Sequence, residues 1–190
     1  MRELETRDNS SEDYVMQFMH GAGQERGLRA GTENVALAVA LGAASEMVAS
    51  DHQEQQRQAA LVARLHAAIA AGVEGEIQVN GPALPSSAAD TGGAWPRLPN
   101  TLSVSFRALS AADILDKVSD VLAASAGAAC HSTGSTMSAV LQAMGLSPDY
   151  GFGTVRLTVG RYTSEAEVDE AARALAAAAN SLWQEQGRKH

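Results

Sequence analysis

The sequence is poor in cysteine, in aromatic side chains and in long apolar runs, and these shortages exclude several classes of protein. Its single cysteine, Cys130, cannot form an internal disulfide, which excludes a disulfide-stapled secreted scaffold. No apolar run approaches the roughly 20 residues that a membrane-spanning helix needs, so no membrane association is expected. Basic residues number 14 against 22 acidic ones, and the resulting net charge of −8 argues against a nucleic-acid partner.

Targeting and metal-binding patterns are also missing. Residues 1–13 carry charges of both signs without an apolar core, which excludes a secretory signal and an acid-poor transit peptide. The five histidines and the lone cysteine show no metal-ligand spacing, so no metal site is expected. Together these absences predict a soluble, cytoplasmic protein.

Helical patterns occupy the stretch that follows residue 34. Alanine accounts for 37 of the 190 residues, which favours a helix-rich and thinly packed core. Thr32 is the expected N-cap. Apolar residues recur at helical spacing on both sides of a polar stretch at 50–58: Leu37, Leu41, Ala44 and Val48 before it, and Leu61, Leu65 and Ile69 after it. The pattern predicts one connecting helix over residues 35–72.

Short strands and further helices follow toward the C-terminus. Residues 77–79 and 155–159 have strand composition, and TLSVSF at 101–106 alternates apolar and polar residues as a half-buried strand does. Ser164 and Glu167 form a capping box that opens the last helix. Because no strict strand–helix–strand repeat occurs, the predicted fold class is α+β, with helices packed on a small mixed or antiparallel sheet.

Cys130 is the first candidate for chemistry. It lies in AGAACHSTGS, a run of small residues with no bulky side chain to bury a thiol. The adjacent His131 favours the thiolate, which is the nucleophilic form of cysteine. The other interpretation is a small buried core residue, which is the commoner state of a free cysteine. The residue types leave both interpretations open.

Arg156 is the second candidate, inside the strand pattern TVRLTV. Alternation places its side chain on the face opposite to Val155 and Leu157. An exposed strand face commonly carries a solvated arginine. The functional interpretation is a two-point clamp for a carboxylate, which the planar guanidinium is suited to bind.

A glycine-rich loop before the helix is the third candidate. GAGQERGLRAG, at 21–31, contains four glycines, and a loop that ends at a helix start can hold phosphate through its backbone N–H groups. It has neither P-loop nor dinucleotide-binding spacing. The structural interpretation makes Thr32 a plain cap and pairs Arg26 and Arg29 with neighbouring glutamates.

Three segments taken together resemble one family. GAGQERGLRAGTEN (21–34), LPNTLSVSF (98–106) with AGAACHS (126–132), and VRLTVGRYTSEAEVD (155–169) are similar to the C-terminal part of cysteine desulfurases and selenocysteine lyases. These are pyridoxal-phosphate (PLP) enzymes of the class V aminotransferase group. The resemblance covers residues 20–182 and implies the small C-terminal domain of a fold-type-I PLP enzyme. The histidine that follows Cys130 favours selenocysteine lyase within the family.

The resemblance implies roles for three residues. Cys130 corresponds to the catalytic cysteine, Arg156 to the arginine that binds the substrate carboxylate, and Thr32 to a threonine that reaches the cofactor phosphate of the neighbouring subunit in a homodimer. The implied reaction removes selenium or sulfur from L-selenocysteine or L-cysteine and leaves L-alanine, with PLP as the electron sink. A selenium or sulfur acceptor protein is a further implied partner.

One family feature has no counterpart here. The Schiff-base lysine of the family lies in a large N-terminal domain, and neither Lys117 nor Lys189 matches its position. The expected organisation is a polar, poorly ordered leader (1–20), an active-site loop (21–34), the connecting helix (35–72) and a small α+β domain (73–190).

The expected function is therefore that of a selenocysteine lyase, or alternatively of a cysteine desulfurase, working with a complementing large-domain subunit. An alternative from a different class is a non-catalytic interaction or regulatory fragment of such an enzyme.

Overall fold

Two compact units make up the chain. The computed structural model describes residues 19–84, 97–126 and 137–187, and the units divide in sequence between Ser50 and Asp51. The first unit contains a 3-10 turn, Gln24–Gly27, and helix α1, Val35–Ser50.

The second unit contains five helices and four strands among its described residues. The helices are α2 His52–Gly72, α3 Ala111–Val118, α4 Ala139–Ala143, α5 Pro148–Gly151 and α6 Glu165–Gly187. The strands are β1 Ile77–Val79, β2 Thr101–Phe106, β3 Ser125–Ala126 and β4 Thr154–Thr158. They form one sheet in the order β1-β2-β4-β3, and every neighbouring pair is antiparallel. This architecture confirms the predicted α+β class.

The connecting helix expected over 35–72 is two helices. Asp51 separates them with a non-helical backbone, at φ −108° and ψ 72°. Its carboxylate accepts a hydrogen bond from the Glu54 backbone N–H at 3.0 Å, so it caps α2. By its contacts α2 belongs to the second unit, Asp51–His190.

The start of α1 also differs from the expectation. Asn34 caps the helix, because its Oδ1 accepts from the Leu37 backbone N–H at 3.0 Å. Thr32 is therefore not the N-cap. Every residue of α1 is exposed, including the large apolar side chains Val35, Leu37, Val39, Leu41, Met47 and Val48, which are 52–69% exposed.

The core of the second unit lies on one face of the sheet. Three helices, α2, α3 and α6, pack there against the apolar side chains of β2 and β4. Ile69, Leu102, Phe106, Ile114, Val155 and Leu175 are all completely buried. A side chain of this kind contributes about 1.5–3 kcal/mol when it leaves water.

Local sequence signals fix the ends of the helices in this core. Ser164 and Glu167 form the predicted capping box: the Glu167 carboxylate accepts from the Ser164 backbone N–H at 2.7 Å, and the Ser164 hydroxyl accepts from the Glu167 N–H at 3.3 Å. The Ser164 backbone N–H and the Ser164 hydroxyl both donate to the Glu167 carboxylate, and these two hydrogen bonds lower the pKa of Glu167. Arg64 on α2 makes a two-point ion pair with Asp169 on α6, with both N–O distances at 2.7 Å.

Candidate functional site

Arg156 lies in the middle of β4, on the face of the sheet that the helical core does not cover. Val155 and Leu157 on either side of it are buried in the core, and the Arg156 side chain is exposed, as the alternation predicts. It forms no ion pair with any described residue. An exposed guanidinium without a carboxylate partner retains all its donors for a ligand.

Most of the other described arginines of this unit are engaged, although the exposed Arg173, like Arg156, forms no ion pair with a described residue. Four of them form ion pairs with a carboxylate: Arg57 with Glu54, Arg64 with Asp169, Arg107 with Glu76, and Arg161 with Asp51. Arg156 differs from these four in its cross-strand neighbours, Ser103 and Ser125, neither of which is acidic.

Two serines lie directly opposite Arg156 in the sheet. The β2–β4 register pairs Arg156 with Ser103, and the β3–β4 register pairs it with Ser125. Directly opposite residues point to the same face, with Cβ atoms about 4.5–5.5 Å apart. Both serines are half-buried. We call the sheet face that carries these three residues the polar face; it also includes Gln78, Thr101, Ser105, Thr154 and Thr158.

A buried hydrogen-bond network lies at one end of the polar face. Asn80, Ser105 and Thr154 are at most 4% exposed. Asn80 Nδ2 lies 2.9 Å from Ser105 Oγ and 3.1 Å from Ser103 Oγ, and Ser105 Oγ lies 2.8 Å from Thr154 Oγ1. Thr154 Oγ1 also lies 3.2 Å from the Tyr150 carbonyl oxygen of α5. The network therefore connects the residue after β1 with β2 and β4, beside the row that contains Arg156.

The predicted catalytic cysteine lies outside the described residues. Cys130 and His131 belong to the segment 127–136, which follows β3 directly in sequence. The last described residues before this segment are Ser125 and Ala126, and both pair with β4. The chain therefore enters the cysteine segment from the strand next to Arg156.

The glycine-rich loop with Thr32 belongs to the first unit. Glu25 and Arg26 have positive φ angles of 50° and 57°, and Gly31 has φ 100°. The Arg29 guanidinium donates to the carbonyl oxygens of Gly31 at 2.9 Å and of Thr32 at 3.3 Å, and it pairs with Glu33 at 3.7 Å. The exposed Thr32 hydroxyl makes no hydrogen bond with the described residues.

Thr32 and the two residues after it also have backbone N–H groups without a described acceptor. The N–H groups of Thr32, Glu33 and Asn34 donate to no described residue, and they precede the first turn of α1. Free N–H groups at the start of a long helix, beside a free hydroxyl, suit an anion such as a phosphate group. Thr32 and Arg156 belong to different units of the structure.

The sequence contains two lysines, Lys117 and Lys189, of which the first lies among the described residues. Lys117 Nζ on α3 forms an ion pair with Glu185 on α6 at 3.0 Å, and Lys189 lies outside the described residues. No group of three or more His, Cys, Asp or Glu side chains in the described ranges is arranged to hold a metal ion. None of the helices described here has the length and apolar character that crossing a membrane requires.

A sequence model of the family "Aminotransferase class-V" matches residues 2–171 of this chain. The chain belongs to the class V aminotransferase family. Its curated relatives include the cysteine desulfurase IscS of Anaeromyxobacter sp. (strain Fw109-5), which is 38% identical over 156 residues, and cysteine desulfurase 2 of Trichormus variabilis, which is 37% identical over 151 residues. These alignments cover 82% and 79% of this chain.

This family member spans about a third of the length of those relatives, since each alignment covers 35% of the relative. A solved structure titled "NifS-like protein" matches 90% of this chain and 40% of its own, with a TM-score of 0.63 and 26% identity. The X-ray structure of a NifS-like protein from Rickettsia africae ESF-5 shares the fold, with a TM-score of 0.65 and 19% identity.

Sequence reasoning missed the hydrogen-bond network beside Arg156. Ser103, Ser105 and Thr154 occupy the polar positions of two alternating strands, where solvated side chains are the ordinary expectation. One feature of the sequence does indicate the network: the polar positions of β2 and β4 next to Arg156 carry short hydroxyl side chains, which can hydrogen-bond to one another. Only the sheet order, which brings β2 and β4 together, makes them neighbours of one arginine.

Proposed function

We propose that this chain is the carboxylate-binding and sulfur-accepting part of a PLP-dependent enzyme that converts L-cysteine or L-selenocysteine to L-alanine. The observation that carries the proposal is Arg156, exposed and without an ion-pair partner, next to the strand that leads into the Cys130 segment. Family membership and the names of the curated relatives support a desulfurase-type reaction.

Arg156 binds the α-carboxylate of the substrate in this proposal. Its guanidinium offers two parallel N–H donors, which match the two oxygens of a carboxylate. The hydroxyl residues around it add donors without placing a competing negative charge beside the substrate. This environment selects an amino acid over an amine that lacks the carboxylate.

Cys130 acts on the sulfur or selenium atom. As a thiolate it attacks the substrate sulfur or selenium: a bond forms between the Cys130 sulfur and that atom while the bond from carbon to sulfur or selenium breaks. The transferred atom remains on Cys130 as a persulfide or selenopersulfide, and the carbon keeps the electron pair of the broken bond, takes up a proton and leaves as L-alanine. His131 next to it in sequence favours the thiolate at neutral pH. Selenocysteine lyase is the finer proposal, because the histidine after the cysteine favours that member of the family.

The described residues fit one end of the PLP cofactor. The Thr32 hydroxyl and the free N–H groups before α1 would hold its phosphate. Lys117 is not proposed for the covalent role, because its position in the sequence does not match that of the family's Schiff-base lysine. When bound, the cofactor supplies an electron sink for cleavage of the bond from carbon to sulfur or selenium.

A partner domain that carries the lysine is part of the proposal. A helix that is apolar all round is normally enclosed by protein, and every residue of α1 is exposed. We therefore expect the cofactor domain of the same fold to cover α1. By family resemblance, two copies of the complete enzyme form a homodimer. The assembled enzyme is expected to retain PLP, whereas a non-catalytic interaction fragment would not.

Alanine release tests the proposed reaction. The enzyme assembled from this chain and a cofactor domain should release L-alanine from L-cysteine and from L-selenocysteine, and Cys130→Ser should lower release from L-cysteine by at least 100-fold. Ser119→Ala is a control outside the polar face, since the Ser119 hydroxyl donates to the Asp116 carbonyl, and it should keep the activity within about threefold. If the assembled enzyme releases no alanine from either substrate, the proposed function is wrong.

A further inference from the structure

The buried network on the polar face admits two arrangements of its hydroxyl protons, because either hydroxyl can donate in the 2.8 Å contact between Ser105 and Thr154. If Ser105 donates, Thr154 gives its proton to the Tyr150 carbonyl at 3.2 Å. If Thr154 donates, Ser105 gives its proton to Asn80 Oδ1 at 3.2 Å. In both arrangements the Asn80 amide remains a donor to Ser103.

The Asn80 amide makes the Ser103 hydroxyl a hydrogen-bond acceptor. Its two Nδ2 protons are directed to Ser105 Oγ at 2.9 Å and to Ser103 Oγ at 3.1 Å. Ser103 thus accepts a hydrogen bond from a side chain that is only 4% exposed. Its own hydroxyl proton has no acceptor among the described residues. The network therefore ends in one free donor, at Ser103.

This free donor lies beside Arg156. Ser103 and Arg156 are paired across β2 and β4, so both side chains point to the polar face from adjacent positions. The Ser103 hydroxyl and the Arg156 guanidinium donate to no described residue. No acidic side chain lies in the cross-strand row that contains them. A hydroxyl donor next to a guanidinium matches the pattern of a carboxylate-binding site.

We propose that Ser103 donates a hydrogen bond to the substrate carboxylate that Arg156 binds, and that Asn80 is a positioning residue that orients the Ser103 hydroxyl. The inference rests on the proposed function, since it takes Arg156 as the carboxylate-binding residue. It adds a second contact to the carboxylate and makes Ser103 a determinant of specificity for amino acids over amines.

Competitive inhibition of the assembled holoenzyme tests the inference with two probes that differ only in the carboxylate, L-serine and ethanolamine. Ser103→Ala should raise the inhibition constant of L-serine about 10-fold, because a hydrogen bond to a charged group is lost. The constant of ethanolamine should stay within twofold. Ser103→Thr keeps the hydroxyl and should restore binding of L-serine.

Thr101→Val is the matched control on the same strand and face. The Thr101 hydroxyl already donates to Asn100 Oδ1 at 3.1 Å, so its removal should leave both inhibition constants unchanged. If Ser103→Ala raises both constants equally, Ser103 has a structural role and the inference is wrong. If Arg156→Lys weakens L-serine binding and Ser103→Ala does not, this inference fails alone. If neither variant changes the inhibition constant of L-serine, both this inference and the proposed function are wrong.

Asn80→Asp tests the positioning role. A carboxylate accepts the Ser103 proton and so reverses the direction of that hydrogen bond. Asn80→Asp should raise the inhibition constant of L-serine by the same factor as Ser103→Ala. The inhibition constant of ethanolamine should not change. A thermal melt identifies a variant that does not fold, and Ser103→Ala then decides the inference. A folded Asn80→Asp enzyme with normal L-serine binding would exclude the positioning role.

Discussion

Arg156 and Ser125 lie directly opposite each other where β4 pairs with β3, and their side chains share the polar face of the sheet. Ser125 precedes Cys130 by five positions in the sequence. The strand pairing therefore connects the proposed carboxylate-binding residue with the segment that contains the only thiol of the chain. β3 has only two residues, and its pairing with β4 depends on contacts that are distant in sequence.

Arg156→Lys should lower kcat/KM of the assembled enzyme for L-cysteine by about 10- to 150-fold. A charge-assisted hydrogen bond contributes roughly 1.5–3 kcal/mol, and a lysine ammonium cannot reproduce the two parallel donors of a guanidinium. The melting temperature should hardly change, because the side chain is exposed. Steady-state kinetics and thermal melts measure the two effects.

Arg107→Lys is the control for this substitution. Arg107 is half-exposed and forms an ion pair with Glu76, and no role in substrate binding is assigned to it. Its kcat/KM should stay at the level of the unmodified enzyme. Full activity in Arg156→Lys, accompanied by a fall of several degrees in melting temperature, would show that Arg156 is a structural residue.

Thr32→Val should weaken PLP binding by the assembled enzyme about 10-fold. The substitution keeps the shape of the side chain and removes the hydroxyl proposed to hold the phosphate, and a lost hydrogen bond to a charged group has this magnitude. Thr32→Ser keeps the hydroxyl and should bind PLP normally. Equilibrium dialysis against PLP measures both affinities, and equal values for Thr32→Val and the unmodified enzyme would exclude the phosphate contact.

Gly153→Ala should destabilise the second unit by about 1–3 kcal/mol or more. A Cβ at this position would lie 2.0 Å from the Phe106 carbonyl oxygen, so the backbone would have to move. Gly160→Ala is the matched control at the other end of β4, where the nearest atom would be Thr163 Oγ1 at 3.9 Å. Urea unfolding should show a lower midpoint for Gly153→Ala alone, and equal midpoints for the two variants would contradict the packing.

His66 should make the protein less stable as the pH falls from 7.5 to 5.5. Burial of the His66 ring, with a smaller contribution from the nearby charge of Arg97, lowers its pKa below the ordinary value of 6.5. The unfolded chain therefore binds a proton at a pH where the folded chain does not. Protonation of His66 thus favours the unfolded chain, and the free energy of unfolding falls as the pH drops below 6.5.

Urea unfolding of His66→Gln at the two pH values measures this contribution. The loss of stability between pH 7.5 and 5.5 should be smaller in the variant than in the unmodified protein. Glu54 and Asp169, whose pKa values are lowered by hydrogen bonds from arginines, titrate below this range and do not obscure the comparison. An identical loss in both proteins would show that His66 is not responsible.

Local patterns in the sequence predicted much of the second unit. The alternation in TLSVSF and TVRLT correctly separated the buried side chains of β2 and β4 from the exposed Arg156. The Ser164–Glu167 capping box is present as expected. These signals depend on side-chain spacing and on hydrogen bonds within one turn, which neighbouring residues alone specify.

The break between α1 and α2 was not predicted, because helical spacing continues on both sides of it. Asp51 is a good N-cap, but the periodicity of Leu41, Leu61 and Leu65 conceals the non-helical backbone of a single residue. The segment with Cys130 lies outside the described residues, so its proposed chemistry rests on the sequence resemblance and on the strand that precedes it.

The sequence by itself determined the α+β class, the face on which Arg156 lies and the family to which the chain belongs. Only the tertiary structure placed β4 between β2 and β3, and thereby put Ser103 and Ser125 on either side of Arg156. It also brought Asn80 within hydrogen-bond distance of Ser103. Residues 80, 103, 125 and 156 are far apart in sequence, and their proximity depends on strand pairings that local propensity does not encode.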